Sequence, residues 1–267
     1  MKFSFFKRIF EKVVPVEGPQ RGESVLNELQ TSRQPAIDGR KAECPYCKGA
    51  LKKTPGAKTK CPHCGQFMYV CTSPTDNTRK VVTRVEADRI EEDWALASGT
   101  YDTLLAEKQE VEKVRKLLTA KLGKEPSEHD VEWGLLNKNI VEHARQGDWG
   151  LYRNDRFAMG ELLRKERQFQ KALCYYLEVC YLDLNGPNNT GATTDPEILA
   201  EFPPFNPNEF ADLAPGVIDR ILTIKKRLSL EKEAVKVAYF DHCARVAKNL
   251  HLPRTLEDSW VLIEREL

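Results

Sequence analysis

The sequence predicts a mainly α chain, with a small metal-holding β module near the N-terminus followed by an all-α body. Two Cys-x-x-Cys pairs, Cys44 with Cys47 and Cys61 with Cys64, stand thirteen residues apart with short strand-like pieces between and after them. From residue 85 onward apolar residues recur at helical spacing, interrupted by Pro and Gly. A chain that is 41% hydrophobic and 30% charged has the composition of a globular protein. No stretch approaches the roughly twenty consecutive apolar residues of a membrane helix.

In chain order, Phe3, Phe6, Phe10 and Val13 fall at helical spacing among Lys2, Lys7, Arg8 and Lys12. This predicts a basic amphipathic helix over residues 1–14. Charge interrupts the apolar run and no small-residue cleavage site follows, so it is not read as a signal peptide. Docking on a partner or on the chain itself is favoured over an anionic membrane surface. Residues 15–39 carry Pro15, Gly18, Pro19, Gly22, Pro35 and Gly39 and read as a linker, with one short helix over 24–30.

Residues 40–84 form the β module. Each Cys-x-x-Cys turns two sulfurs inward from one tight knuckle, and two knuckles supply the four tetrahedral thiolates that zinc prefers, so Cys44, Cys47, Cys61 and Cys64 are the expected ligands. Strands are expected over 50–53 and 57–60, about the turn Thr54-Pro55-Gly56, and over 67–70, which makes a zinc ribbon. A redox pair needs a single Cys-x-x-Cys at a helix start, which is absent, and an iron centre would use the same four thiolates. His63 is expected to be exposed and Cys71 to be a packed thiol. With every position filled by the chain, the metal has no place for water or substrate and is structural. Cys71, Cys174, Cys180 and Cys243 are expected to be reduced and mostly buried, which places the protein in the cytoplasm.

Charge is unevenly spread. The net charge of the chain is +1, yet residues 40–84 hold ten Lys and Arg against Glu43 and Asp76, and the helical remainder is correspondingly acidic. Lys48, Lys52, Lys53, Lys58 and Lys60, with Tyr69 and the aromatic Tyr46 and Phe67, are therefore candidates for contact with nucleic acid or with an acidic partner surface.

The helices follow. Ile90 and Trp94 define a helix over 85–97 whose Asp88, Glu91, Glu92 and Asp93 read as a solvated acidic face. Leu104, Val111 and Leu118, flanked by Leu105, Val114 and Leu117, give a packing stripe over 101–122 that ends at Gly123 and Pro126. Ser127 with Asp130 caps the next helix, whose apolar face is Trp133, Leu136 and Ile140, with His129 and His143 exposed.

Over residues 149–184, Gly160, Leu163, Phe169, Ala172 and Tyr176 occupy the spacing of a tetratricopeptide repeat, which this segment resembles. Arg156, Val179 and Leu184 depart from that pattern. The resemblance implies a helical hairpin that packs on neighbouring helices, and a protein partner. The order of elements, from a lysine-rich Cys-Pro-x-Cys ribbon to Tyr-Leu-Asp-Leu-Asn-Gly, resembles uncharacterised bacterial and phage proteins and implies no activity.

Residues 185–214, rich in Pro and Asn, are expected to wrap on the body through Phe202, Phe205 and Phe210. The C-terminal part, 215–267, holds a helix from Pro215 to Leu228, one capped by Ser229 and burying Ala234, Val237, Ala238, Phe240, Ala244 and Val246, and one capped by Thr255 with Asp258. His242 and Cys243 are adjacent on a helix and point about 100° apart, which disfavours a Cys-His nucleophile. The expected function is a non-enzymatic zinc-ribbon adaptor for protein partners; the alternative is a nucleic-acid-binding protein that uses the lysine-rich ribbon.

Overall fold

The computed structural model describes residues 35–209 and 211–267. The helices expected over 1–14 and 24–30, and Phe210, lie outside them. The chain divides into two compact units between Gln109 and Glu110.

The first unit is built on a four-stranded sheet in the order β1-β4-β3-β2. Strand β1 (Ile37–Asp38) pairs parallel with β4 (Thr78–Val82), and β3 (Phe67–Thr72) pairs antiparallel with both β4 and β2 (Thr59–Lys60). The sheet thus begins inside the segment expected to be a linker. The N–H groups of Ile37 and Gly39 donate to the carbonyls of Asn77 and Arg79, both at 3.0 Å. Gly39 permits this approach, because a Cβ there would lie 2.5 Å from Thr78 Cγ2.

Residues 50–53 do not form the expected strand. Only Ala50 bridges, to Glu43. The carbonyls farther along the loop are taken by side chains instead, Pro55 O accepting from Arg40 Nη1 at 3.1 Å and Gly56 O from Arg79 Nη2 at 2.8 Å.

Strand β4 runs directly into helix α1 (Arg84–Ala97) through a capping box, in which Thr83 Oγ1 accepts from Glu86 N and Glu86 Oε2 accepts from Thr83 N. Ala87 and Ile90 pack on Tyr69 and Val82. The Trp94 indole N–H donates to Thr72 O at 2.7 Å while its ring stays half-exposed. Helix α1 therefore belongs with the sheet, and the domain boundary expected at residue 84 lies farther on, inside helix α2 (Tyr101–Leu122). The acidic residues of α1 are not simply solvated: Asp88 pairs with Arg84 and Glu92 with Lys108.

In the second unit, Val111, Val114 and Leu118 of α2 pack on Val131 and Leu135 of α3 (Glu128–Gln146), which starts at the expected Ser127–Asp130 capping box. Leu117 was expected beside this seam and is exposed, as is Leu105 in the preceding unit, because one neighbouring helix covers only a narrow stripe. The buried side chains of α3 are Val131, Leu135 and Leu136, whereas Trp133 and Ile140 are only partly buried. His143 is not exposed as expected; its Nδ1 lies 2.8 Å from Asp155 Oδ2 at a largely buried contact.

Helices α4 (Trp149–Lys165) and α5 (Phe169–Leu184) form an antiparallel hairpin. Every residue of α5 from Tyr176 to Leu184 is buried. A helix that is apolar on all sides must be enclosed, and α5 is packed by α4, α7 (Pro215–Leu228), α8 (Lys232–Leu250) and α9 (Leu256–Arg265). The polar residues on it are matched one by one. Asp183 accepts Arg153 at two distances of 2.6 Å, and Glu178 accepts both Arg156 and, at 2.7 Å, His242 Nε2. Tyr176 OH donates to Glu161 Oε1 of α4 at 2.7 Å, and Glu161 also holds Arg164 and Arg220. Burial acts to raise the Glu178 carboxyl, but His242 and Arg156 hold it below the ordinary carboxylate value. At Asp183 burial prevails and the value is raised.

Gly160 sits where the hairpin is tightest, since a Cβ there would be 2.9 Å from the fully buried Tyr176 ring. Leu163, Ala172 and Tyr176 are buried, and the half-buried Phe169 ring lies 4.2 Å from the Arg227 guanidinium carbon.

The 185–214 segment contains one short helix, α6 (Pro196–Glu201), and is tied down at both ends. Asn185 is fully buried, donating to Tyr181 O and accepting from Arg254 N, and Asn188 N donates to Pro204 O. Phe205 meets Trp149 at 5.1 Å, but Phe202 is 53% exposed and does not pack as expected.

Two further expectations are corrected. Ser229 does not open α8; with φ of 50° it ends α7, while Glu231 is the residue preceding α8. The buried face of α8 is Val235, Tyr239, Cys243 and Val246, whereas Ala234, Val237 and Ala244 are exposed. Helix α9 starts at Thr255 with Asp258 as expected.

Removing Arg156 from the Glu178 cluster takes away the permanent cation and leaves His242 to meet a fully buried carboxylate. Arg156→Ala is expected to cost about 3–5 kcal/mol. Arg115→Ala, whose partners Glu125 and Glu128 face solvent, is expected to cost less than about 1 kcal/mol. Urea denaturation of the two variants measures the difference, and equal losses would refute the assignment of α5 as the enclosed helix.

Candidate metal centre

The two knuckles close in the same way. Cys44 O accepts from Lys48 N at 2.9 Å while Cys44 N donates to Gly49 O at 3.0 Å; Cys61 O accepts from Gly65 N at 3.0 Å while Cys61 N donates to Gln66 O at 2.8 Å. The fifth residue of each is left-handed, Lys48 with φ of 59° and Gly65 with φ of 73°. Glycine takes that conformation freely, whereas Lys48 bears a cost of roughly 1–2 kcal/mol. A side chain held there against strain indicates that the knuckle around it is over-determined.

The knuckles face each other with their sulfurs inward. Cys44 Sγ lies 3.8 Å from Cys64 Sγ, Cys47 Sγ lies 3.8 Å from Cys61 Sγ, and all four ligand atoms fall within 4.8 Å of one another. A disulfide would need about 2.05 Å, so the four stand as free thiols converging on one point. Four sulfurs at this separation can hold a metal ion. Cys44 and Cys61 are also members of the local core, packed with Met68, Leu51 and Val81, so the centre and the hydrophobic cluster beneath the sheet are one object.

Backbone N–H groups are aimed at the sulfurs. The Cys64 N–H, together with the His63 N–H at 3.4 Å, draws the Cys61 thiol down to about 6. At Cys64 the Gln66 N–H also acts to lower the value, but desolvation and the neighbouring sulfurs push it up to about 12. Four adjacent sulfurs cannot all ionise without a cation among them, and one thiolate forms first.

His63 is exposed, as expected, and its Nε2 lies 2.8 Å from Ala50 O, which ties the second knuckle to the first. Cys71 is half-buried against the Tyr69 and Val82 cluster, and burial raises its thiol. Lys48, Lys52, Lys53, Lys58 and Lys60 are all exposed. Tyr69 is not available for contact as the sequence suggested; it is 5% exposed, held between Val82 and Ala87 with Lys58 Nζ 5.1 Å from its ring. The reason is the packing of α1 on β3, which covers Tyr69 with Ala87 and Ile90 and leaves Phe67, two residues earlier on the same face, half-exposed. Tyr46 OH accepts from Arg84 N at 2.7 Å and so has a structural role.

The charged rungs Arg153–Asp183 and Arg156–Glu178 of the hairpin, the second joined by His242 from α8, were not foreseen from the sequence. The available signal was two arginines three apart on one helix and two carboxylates on an otherwise apolar partner. His242 turns to Glu178, and Cys243 is fully buried, so the two form no nucleophile pair.

If the four sulfurs hold the ribbon through a metal, stripping it with a strong chelator exposes the ribbon amides to hydrogen exchange. Those of Cys61, Gly65 and residues 69–72 are expected to lose protection, while those of residues 176–184 keep it. Mass spectrometry of exchanged peptides reads this, and unchanged ribbon protection would count against the centre. Acidification is expected to act in the same direction, since protons compete for the thiolates.

No protein-family model, curated protein or solved structure matches this chain.

Proposed function

We propose that the chain is a non-enzymatic adaptor of the cytoplasm, in which a structural zinc ribbon and a tetratricopeptide-like helical body each present a binding surface. The observation that carries this reading is the sulfur geometry. Zinc bound to thiolate at about 2.3 Å requires tetrahedral edges of about 3.8 Å, and the two inter-knuckle pairs measured stand at 3.8 Å. The chain supplies all four positions, which leaves the ion no place for water or substrate, so its role is to hold the ribbon.

The surroundings support a role in folding. The clusters beneath and above the sheet consist of three buried residues each, too few to stabilise it unaided. Metal binding of the kind seen in small zinc modules contributes roughly 10–16 kcal/mol at neutral pH. For the body, the exposed Leu117, Leu122 and Val141 on its first two helices offer apolar surface to a protein partner. All eight cysteines stand as free thiols, in keeping with a reducing compartment.

Metal analysis of protein purified without chelator is expected to give one zinc per chain, and a colourless solution; the absorption of a ferric thiolate centre would replace zinc by iron. Affinity capture from native cells is then compared for the intact chain and for Cys61→Ser/Cys64→Ser. Partners of the ribbon are expected to disappear and partners of the body to remain. A capture profile indifferent to the ribbon, or a turnover that depends on the metal, would overturn the adaptor reading.

A further inference from the structure

We propose that the face of the β2–β3 pair turned away from the cysteine sulfurs, at the end where Phe67 is left half-exposed, binds single-stranded nucleic acid, with Phe67 as the ring on which a base stacks and Lys58 and Lys60 as its phosphate contacts. Register fixes this face. Lys60 pairs with Phe67 and Thr59 with Met68, and Met68 turns to the cysteine sulfurs, so Phe67 and Lys60 lie together on the opposite side. Two residues along the same face stand Lys58 and Tyr69. The ammonium of Lys58 is 4.8 Å from the Phe67 ring centre and 5.1 Å from that of Tyr69, and Lys60 Nζ is 5.9 Å from Phe67.

Two features separate this face from an ordinary solvated one. Phe67 is 48% exposed although its neighbours Met68 and Tyr69 are buried, so a large ring is left in water on a sheet too small to spare apolar surface. Lys48, Lys52, Lys53, Lys58 and Lys60 form no ion pair among the described residues, whereas the nearby Arg40, Lys80 and Arg84 each hold an aspartate. Ammonium groups without a carboxylate, seated over a half-exposed ring, match a ligand that carries both phosphates and flat faces. An acidic protein surface satisfies the lysines and gives the ring nothing to stack on. A duplex presents base edges, whereas a single strand presents the faces.

The proposal goes beyond the adaptor reading and rests only on a folded ribbon. Fluorescence anisotropy of the full-length protein, metal content verified, is measured over a salt series with a labelled oligothymidylate, an oligouridylate, a duplex of equal length and polyglutamate. Both single strands are expected to bind better than the duplex or polyglutamate. Phe67→Ala is expected to weaken single-strand binding about 5- to 150-fold at every salt concentration without changing the salt slope, and Phe67→Tyr to restore it. Lys58→Gln/Lys60→Gln is expected to flatten the log–log salt slope by about 1.4. A metal-loaded chain that binds no single strand, that binds polyglutamate equally well, or that is unaffected by Phe67→Ala overturns this proposal alone. A wild-type chain that takes up no metal overturns the ribbon reading, and this one with it.

Discussion

Four sulfurs converging from two loops constrain everything in the first unit. Cys44 and Cys61 are buried with Met68, so the floor of the sheet is made partly of ligand atoms. Left as thiols, they offer only weak hydrogen bonds at 3.8 Å. Joined by an ion, they become a covalent-strength crosslink between the 44–49 and 61–66 knuckles, and the strands that flank those knuckles are fixed with them. The short strands, two residues each for β1 and β2, are intelligible on this basis: they need not nucleate pairing where the knuckles, once joined, would hold the chain in place. Arg40 and Arg79 complete the arrangement by binding the carbonyls of the loop between the knuckles.

The second unit solves a different problem. Helix α5 is enclosed from Tyr176 onward, yet carries Glu178 and Asp183 in that stretch. A buried carboxylate is tolerated only when its charge is met, and both are met by arginines from the preceding helix, with His242 added from α8. These contacts contribute more to register than to net stability. An apolar helix sliding by one turn against α4 would still bury its leucines, but it would separate Arg153 from Asp183 and Arg156 from Glu178 at once. Gly160 against Tyr176 sets the separation, and the charged rungs set the offset.

The clustering of Cys44, Cys47, Cys61 and Cys64 was legible because four identical side chains at fixed spacing have few alternative uses. Helix limits were legible where a local signal marks them: Ser127 with Asp130, Thr255 with Asp258, Pro215 at a first turn. What escaped depended on residues distant in sequence. Ile37 becomes a strand only because β4 lies beside it, forty residues later. Val235 and Tyr239 rather than Ala234 and Val237 face inward on α8, a rotation set by its neighbours, since both sets have helical spacing. Ser229 is a good N-cap by type, but it is the left-handed residue that ends α7, and the next helix starts three residues later, at Lys232. His143 and His242 looked free because their carboxylate partners, Asp155 and Glu178, lie on other helices.

The two units use their cations oppositely, and the choice of residue follows the use. In the body the cations that enter the interior are arginines, whose flat forked donors meet both oxygens of a carboxylate: Arg153 on Asp183 and Arg156 on Glu178. In the ribbon the exposed cations between the knuckles are lysines, which are strongly hydrated and free to turn, and none is committed to a carboxylate among the described residues. A thiolate-bound zinc would carry about −2 and so offset only two of the net +8 of residues 40–84, ten Lys and Arg against Glu43 and Asp76. Lysines without a carboxylate partner repel one another, so the positive surface is a standing cost to this unit, offset in part where Lys58 and Lys60 sit over the Phe67 and Tyr69 rings.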